Sequence, residues 1–316
     1  MDRNKKLAGL LFTLCGGMFW GLSGSCGQYL FEYKNVTADW LVPVRLVLAG
    51  YGMLIVFLIR DGKAAFDLWK TKRNAVDTVV YSVFGMALCQ YTYFESIEYS
   101  DAGTATVLEY LAPVIILLFV CFTEKKFPRA SELLATACAL AGVFLLATHG
   151  DIAHLAISRK ALFYGLAAAV TVVIYNLQPR NLLRQFHPSL LVAWAMVIGG
   201  TILFIFFRPW ERPPVVDAET ILALAAIVLL GTILSFTFYL RGVQLIGAPH
   251  ASLYVSVEPL TAAFLSFVWL KVPFQPVDFA GFALVLSTVV ILFLSSVDKK
   301  GKTHLPSRPM KLPKRL

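Results

Sequence analysis

Charge is scarce in this chain. Asp, Glu, Lys and Arg supply 15% of its 316 residues, against about a quarter in an ordinary soluble domain. Apolar residues supply 58%. Long polar stretches are missing too. Before the C-terminal tail, no run longer than about 30 residues is free of long apolar segments, which excludes a separate soluble domain. Cysteine is sparse and odd in number: Cys15, Cys26, Cys89, Cys121 and Cys138 lie inside apolar runs without CxxC spacing. They read as packing residues and exclude a disulfide framework. The five histidines are scattered, and no metal-ligand spacing, phosphate loop, HExxH or GxSxG occurs. No enzyme, metal or cofactor is therefore expected.

What is present is a series of apolar runs. A membrane crossing needs roughly 20 such residues. Ten candidates lie at 7–30, 40–59, 76–97, 102–122, 131–148, 161–179, 189–207, 220–243, 248–270 and 277–296. The first follows MDRNKK and is too long for a signal-peptide core, so it counts as a helix. The sequon at Asn35 carries no weight outside a secretory pathway. With the N-terminus in the cytoplasm, 21 of the 28 basic residues fall on the inner side and six on the outer. Arg45, inside span 2, is the remainder. This positive-inside bias supports ten spans with both termini cytoplasmic.

The two halves resemble each other. YFESIEYSDAGTATVLEYLAP (93–113) aligns without gaps on YLRGVQLIGAPHASLYVSVEP (239–259). The same offset sets Gly85 on Gly231 and Pro113 on Pro259. Five spans per half is an odd number, so the second half enters the membrane upside down. The expected fold is an all-α integral membrane protein: ten transmembrane helices as two inverted five-helix repeats around a central cavity. The repeats are expected at 1–150 and 151–297, and a disordered basic cytoplasmic tail at 298–316. Inverted repeats recur in secondary transporters, with the substrate near the midplane between the halves.

Two acids interrupt the apolar pattern at related places. Glu258 sits mid-span beside Pro259, where a charge costs about 2.5–3.5 kcal/mol. Pro259 removes a backbone donor, so a bend or a freed carbonyl is expected one turn earlier. Glu109 is displaced by three residues from the equivalent position, almost one helical turn, so both acids lie on equivalent faces. Two acids in a low-dielectric seam cannot both ionise cheaply, which suits proton coupling or binding of an organic cation. The plainer reading is that each acid is protonated or salt-bridged and merely holds helices together.

Other candidates surround them. Arg45 is expected to pair with Glu109, to bind a substrate carboxylate, or to snorkel toward Glu95, Glu98 and Asp101. Trp194 occupies its position in the repeat. In span 1, Gly17, Gly21, Gly24 and Gln28 share a face beside Trp20, a spacing for close helix packing that also fits a cavity wall. Gln90 and Tyr93 in span 3, Tyr175 in span 6 and Tyr239 in span 8 could line the same space. With Tyr110 and Tyr254 they could form a cation–π cage, although membrane aromatics more often pack.

FWG (19–21), the arginine of VPVRLVLAG, YLAPV (110–114), ELLATACALAGVFLL (132–146) and VEPL (257–260) together resemble the EamA family of the drug/metabolite transporter superfamily. The resemblance spans about residues 7–296. It implies alternating access and export or exchange of small metabolites such as amino acids, organic cations or drugs. The family often closes spans 4 and 9 with Gly-Glu; here Thr123 precedes Glu124, and Lys271 stands at the second place. The expected partners are a small-molecule substrate, membrane lipids and protons as coupling ion, with no nucleic acid, in a monomer or homodimer of the plasma or inner membrane. Two rival expectations are an importer of a quaternary ammonium compound such as choline, and a scaffold or lipid-handling protein without solute turnover.

Overall fold

The computed structural model describes residues 3–123, 125, 127–151, 156–247, 250–251 and 254–300. Among them there is no strand. The helices are α1 (Arg3–Lys34), α2 (Ala38–Asp61), α3 (72–98), α4 (Ala102–Thr123), α5 (Ala130–Thr148), α6 (Arg159–Leu177), α7 (Pro188–Phe207), α8 (Ala218–Ile246), α9 (Val257–Val268) and α10 (Pro276–Lys300). Side-chain caps start several of them. Thr71, Asp101, Ser158 and Asp217 each accept from a backbone N–H three residues on.

Eight helices are long and apolar enough to cross a membrane: all but α3 and α9. The α9 helix is apolar but shorter, and α3 is helical throughout but more polar. Large apolar side chains such as Ile59, Phe122, Phe163, Phe206 and Leu222 point outward, where only lipid would solvate them. The protein is a multi-pass membrane protein. All five cysteines are free thiols. The expected basic tail and Glu124 lie largely outside the described residues, and α10 itself runs on to Lys300.

Glycine contacts set the helix directions. A Cβ on Gly50 would strike Met196 and Val197, and one on Gly200 would strike Leu46 and Val47. Advancing along α2 therefore means retreating along α7. In the same way Gly142 faces Val285, Gly281 faces Leu146, and His149 Nε2 lies 2.9 Å from Asp278 Oδ1, so α5 and α10 run antiparallel. Gly103 against Ala263 and Tyr110 against Val255 give the same sense for α4 and α9. Each of these pairs joins equivalent helices of the two halves, so one half is inverted relative to the other.

Backbone irregularities repeat with the sequence. The α3 helix widens to i→i+5 turns at Tyr81–Ala87, and α8 does so at Ala226–Leu234, each around its aligned glycine. Thr232 and Ser235 hydroxyls take carbonyls five residues back, which supports the wider turn in α8. Lys125 and Lys271, equivalent by the same offset, both adopt positive φ, 50° and 58°. Each is a left-handed lysine just past the end of its span, a conformation disfavoured for a residue with a Cβ.

Candidate functional site

Span 4 is not the single helix expected. It breaks at Tyr110–Leu111 into Ala102–Glu109 and Ala112–Thr123. The chain turns at 255–256 before α9 begins. Both breaks lie just ahead of a proline, Pro113 and Pro259. Each proline lacks the N–H that the carbonyl four residues earlier would need. Those carbonyls belong to Glu109 and Val255, so the acids sit at the interruptions. Glu109 ends one half-helix and Glu258 is in the first turn of the other.

The breaks meet across the seam between the halves. Val255 O accepts from Glu258 N at 2.9 Å and has Tyr110 OH at 3.1 Å. The same hydroxyl lies 3.3 Å from Glu258 Oε2. Cys89 Sγ lies 3.8 Å from Glu109 Oε1. Glu258 also interacts electrostatically with Glu109. Both acids are half-buried, and neither forms an ion pair among the described residues.

The glycine face of α1 seats this region. A Cβ on Gly21 would lie 2.7 Å from Glu258 O, and one on Gly17 would lie 3.0 Å from Val255 O. Gly24 faces the Tyr93 hydroxyl, which is 2.8 Å from Thr106 Oγ1. Further along the same face, Gln28 Oε1 accepts from Ala102 N and Ser266 Oγ, both at 2.9 Å. So α1 is pinned to α4 and α9 on either side of the acids.

The remaining candidates divide. Tyr239 is within electrostatic reach of Glu258 and packs on Trp20, ring centroids 5.3 Å apart. Trp20 also meets Phe236 edge-on. Tyr175 packs against Tyr81 beside the wide turn of α3. Gln90 and Tyr254 are half-buried. Trp194 does not join the cluster. Its Nε1 donates to Ala65 O at 2.9 Å, and its ring packs on Phe66 and Trp69 in the 3-10 segment Gly62–Trp69. Trp20, Tyr93, Tyr175 and Tyr239 each pack on another ring, whereas Tyr110 turns its hydroxyl to Glu258.

Arg45 departs from two of its three expected roles. It pairs with neither Glu109 nor the acids of the 3–4 turn among the described residues. The residue is 2% exposed. Its Nη2 donates to Thr232 Oγ1 at 3.1 Å, in the wide turn of α8. Its Cζ lies 4.6 Å from the Phe94 ring centroid, and Nε has no partner. A cavity of about 410 Å³ lies at the end where α1 finishes, beside Glu32, Tyr99, Asp101, Ser158 and Lys271.

Cys89, which reads as a packing residue in the sequence, lies beside Glu109, and Phe94 lies against Arg45. The helical spacing Cys89–Tyr93, i to i+4, was the available signal for the first. Nothing local marked Phe94.

The chain matches the model of the EamA-like transporter family twice, over residues 7–148 and 159–294. It is 37% identical over 288 residues to the uncharacterized inner membrane transporter YicL of Salmonella typhimurium, spanning 91% of this chain and 96% of that protein. It is 26% identical over 281 residues to a probable terminal-alkyne amino-acid exporter of Streptantibioticus cattleyicolor, spanning 84% and 92%. A solved crystal structure with 16% identity superposes with a TM-score of 0.63 over 96% of this chain and all of the other.

Proposed function

Because the chain belongs to the EamA-like transporter family, and so is a membrane transporter, we propose that it is a secondary active carrier. It moves a small amine-bearing metabolite across the inner or plasma membrane by alternating access. It works with ten spans, both termini cytoplasmic, as a proton-coupled exporter or exchanger. The observation that carries this reading is the acid pair: Glu109 and Glu258, at the interruptions of two related helices, half-buried and without ion pairs. A cation or a proton can neutralise such a pair alternately, which is the exchange a coupled carrier needs. The printed name of one relative, an amino-acid exporter, points toward amine-bearing solutes.

The scaffold reading expects a sealed interior with both acids in closed salt bridges, and neither acid forms an ion pair among the described residues. The choline-import reading would need rings turned toward an open site, and Trp20 and Tyr175 face other rings.

The test is counterflow in proteoliposomes with the wild type, Glu258→Gln and Glu109→Gln. Each variant is expected to lose about tenfold or more of the flux, as removal of one charge-assisted contact implies. The remaining flux should no longer follow a pH gradient. Equal flux and equal pH response in both variants would remove the acids from the mechanism.

A further inference from the structure

The start of α3 has two unlike faces. Asn74, Thr78 and Ser82 are buried and turn into the bundle. The opposite face carries Lys72, Val76, Val79 and Val80, spaced i, i+4, i+7 and i+8. All four side chains are exposed, and Phe84 continues the apolar stripe one turn further. A groove of about 250 Å³ runs here, lined by Ala75, Val76, Val79 and Val80.

A single cation above an apolar stripe is common at the end of a membrane helix. Here a second segment adds to it. Asn74 Nδ2 donates to Gln185 Oε1 at 3.3 Å, and Gln178 Nε2 donates to Asp77 O at 2.9 Å. These two bonds lay the 178–185 turn along the first turns of α3, which brings Arg180 and Arg184 to the same end as Lys72 and Arg73. All four cations are exposed, and none forms an ion pair among the described residues. Their neighbours Arg60 and Lys70, by contrast, are neutralised by Asp61 and Asp67. Within 72–80 and 178–185 the only carboxylate is that of Asp77, so the rim keeps a net positive charge.

We propose that the groove and its basic rim bind an anionic phospholipid. The phosphate sits among Lys72, Arg73, Arg180 and Arg184, and an acyl chain lies along Val76, Val80 and Phe84, a depth of about 12 Å at the rise of a helix. Basic pockets between helix ends suit anionic headgroups. Free phosphate would leave the valines uncovered, and a zwitterionic lipid would bring its own cation to a rim that is already positive. In the proposed orientation the site faces the cytoplasmic leaflet. The wide turn Tyr81–Ala87 begins at the foot of the groove, so a chain held there also braces the least regular part of α3.

The experiment is native mass spectrometry of the purified full-length protein in a neutral detergent. The probes are phosphatidylglycerol, phosphatidylcholine with the same chains, and inorganic phosphate. The wild type should bind one phosphatidylglycerol about tenfold or more tighter than phosphatidylcholine. The double variant Lys72→Gln, Arg73→Gln should lose about fivefold of that affinity for each cation removed, with phosphatidylcholine unaffected. Val79→Trp fills the groove and keeps the cations. It should weaken both lipids, and it serves as the test if the double variant does not fold. Arg241→Gln, on the basic side but on α8, should change nothing. Equal binding of the two lipids, or a preference that survives in the double variant, would overturn the assignment. So would an equal loss in Arg241→Gln, which would mark a general attraction of the basic side. Inorganic phosphate that displaces the lipid at equal concentration would show an anion site without a chain groove, and a lipid-free complex of two chains would show the face covered by a second copy. Either would also overturn it.

Discussion

Tyr110 has one proton and two acceptors in reach: Val255 O at 3.1 Å and Glu258 Oε2 at 3.3 Å. The first is the carbonyl that Pro259 cannot serve and that takes Glu258 N instead, and the second belongs to one of the two acids. A single hydroxyl therefore links the helix interruption to the group proposed to change charge. Tyr110→Phe keeps the ring and removes the proton. It should lower stability by about 1 kcal/mol, the usual worth of one such bond. It should also slow counterflow, because Glu258 loses a donor. A melting temperature and a flux both equal to those of the wild type would show that the hydroxyl bonds to neither group.

The elements are shaped by where small residues allow backbones to meet. Helix α1 carries Gly17 and Gly21 against the carbonyls of the 255–258 turn. A side chain at Gly21 would sit 2.7 Å from a main-chain oxygen, which cannot swing aside as a side chain can. Gly21→Val should therefore cost about 1–3 kcal/mol by overpacking and disturb the acid region with it. Gly52 in α2 is the control, since its nearest neighbour to an added Cβ is Ile233 at 3.8 Å. Gly52→Ala should be neutral or slightly stabilising. Thermal melts of the two variants check this, and equal losses in both would show that backbone entropy, not the α1–α9 approach, governs the effect. The two prolines act at the same scale. They were visible as a repeated pair in the sequence, yet the break they cause in α4 was not foreseen. A proline near a helix start is tolerated; only the neighbouring half shows whether the preceding turn unwinds.

At the scale of the molecule, the two inverted halves close their ends with different chemistry. Where α1 finishes, Lys34 Nζ pairs with Asp217 Oδ2 at 2.7 Å and with Glu219 Oε2 at 2.5 Å, joining α1 to the start of α8. Tyr29 OH donates to the same glutamate. At the equivalent end of the other half, α6 meets α3 through neutral groups. Gln178 Nε2 donates to Asp77 O at 2.9 Å, and Asn74 Nδ2 donates to Gln185 Oε1 at 3.3 Å. The Lys34 ammonium beside Asp217 holds that carboxyl below the ordinary aspartate range. Its contribution is therefore complete above that range and is lost as pH falls through the lowered value. Exposed ion pairs are also screened by salt, whereas amide bonds are not. Opening at the Lys34 end should thus become easier as salt rises, and flux in the wild type should change with ionic strength. Lys34→Met should flatten that dependence. A salt response that survives in Lys34→Met would place its origin elsewhere.

Much of this was legible in the linear order of residues. The scarcity of charge, the spacing of apolar runs and the aligned segments were enough to imply a membrane bundle with an inverted repeat. They were also enough to single out Glu109, Glu258 and the glycine face of α1, because burial cost and helical periodicity are local quantities. The partners of Arg45 and Trp194 were not legible. Both sit on similar apolar helices at related positions, yet one meets Thr232 and Phe94 and the other a 3-10 segment that folds back against α7. Periodicity tells which side of a helix faces inward, but not which helix it faces. That is decided by how the two halves cross, and the crossing is set by glycine contacts and helix interruptions among residues far apart in the chain.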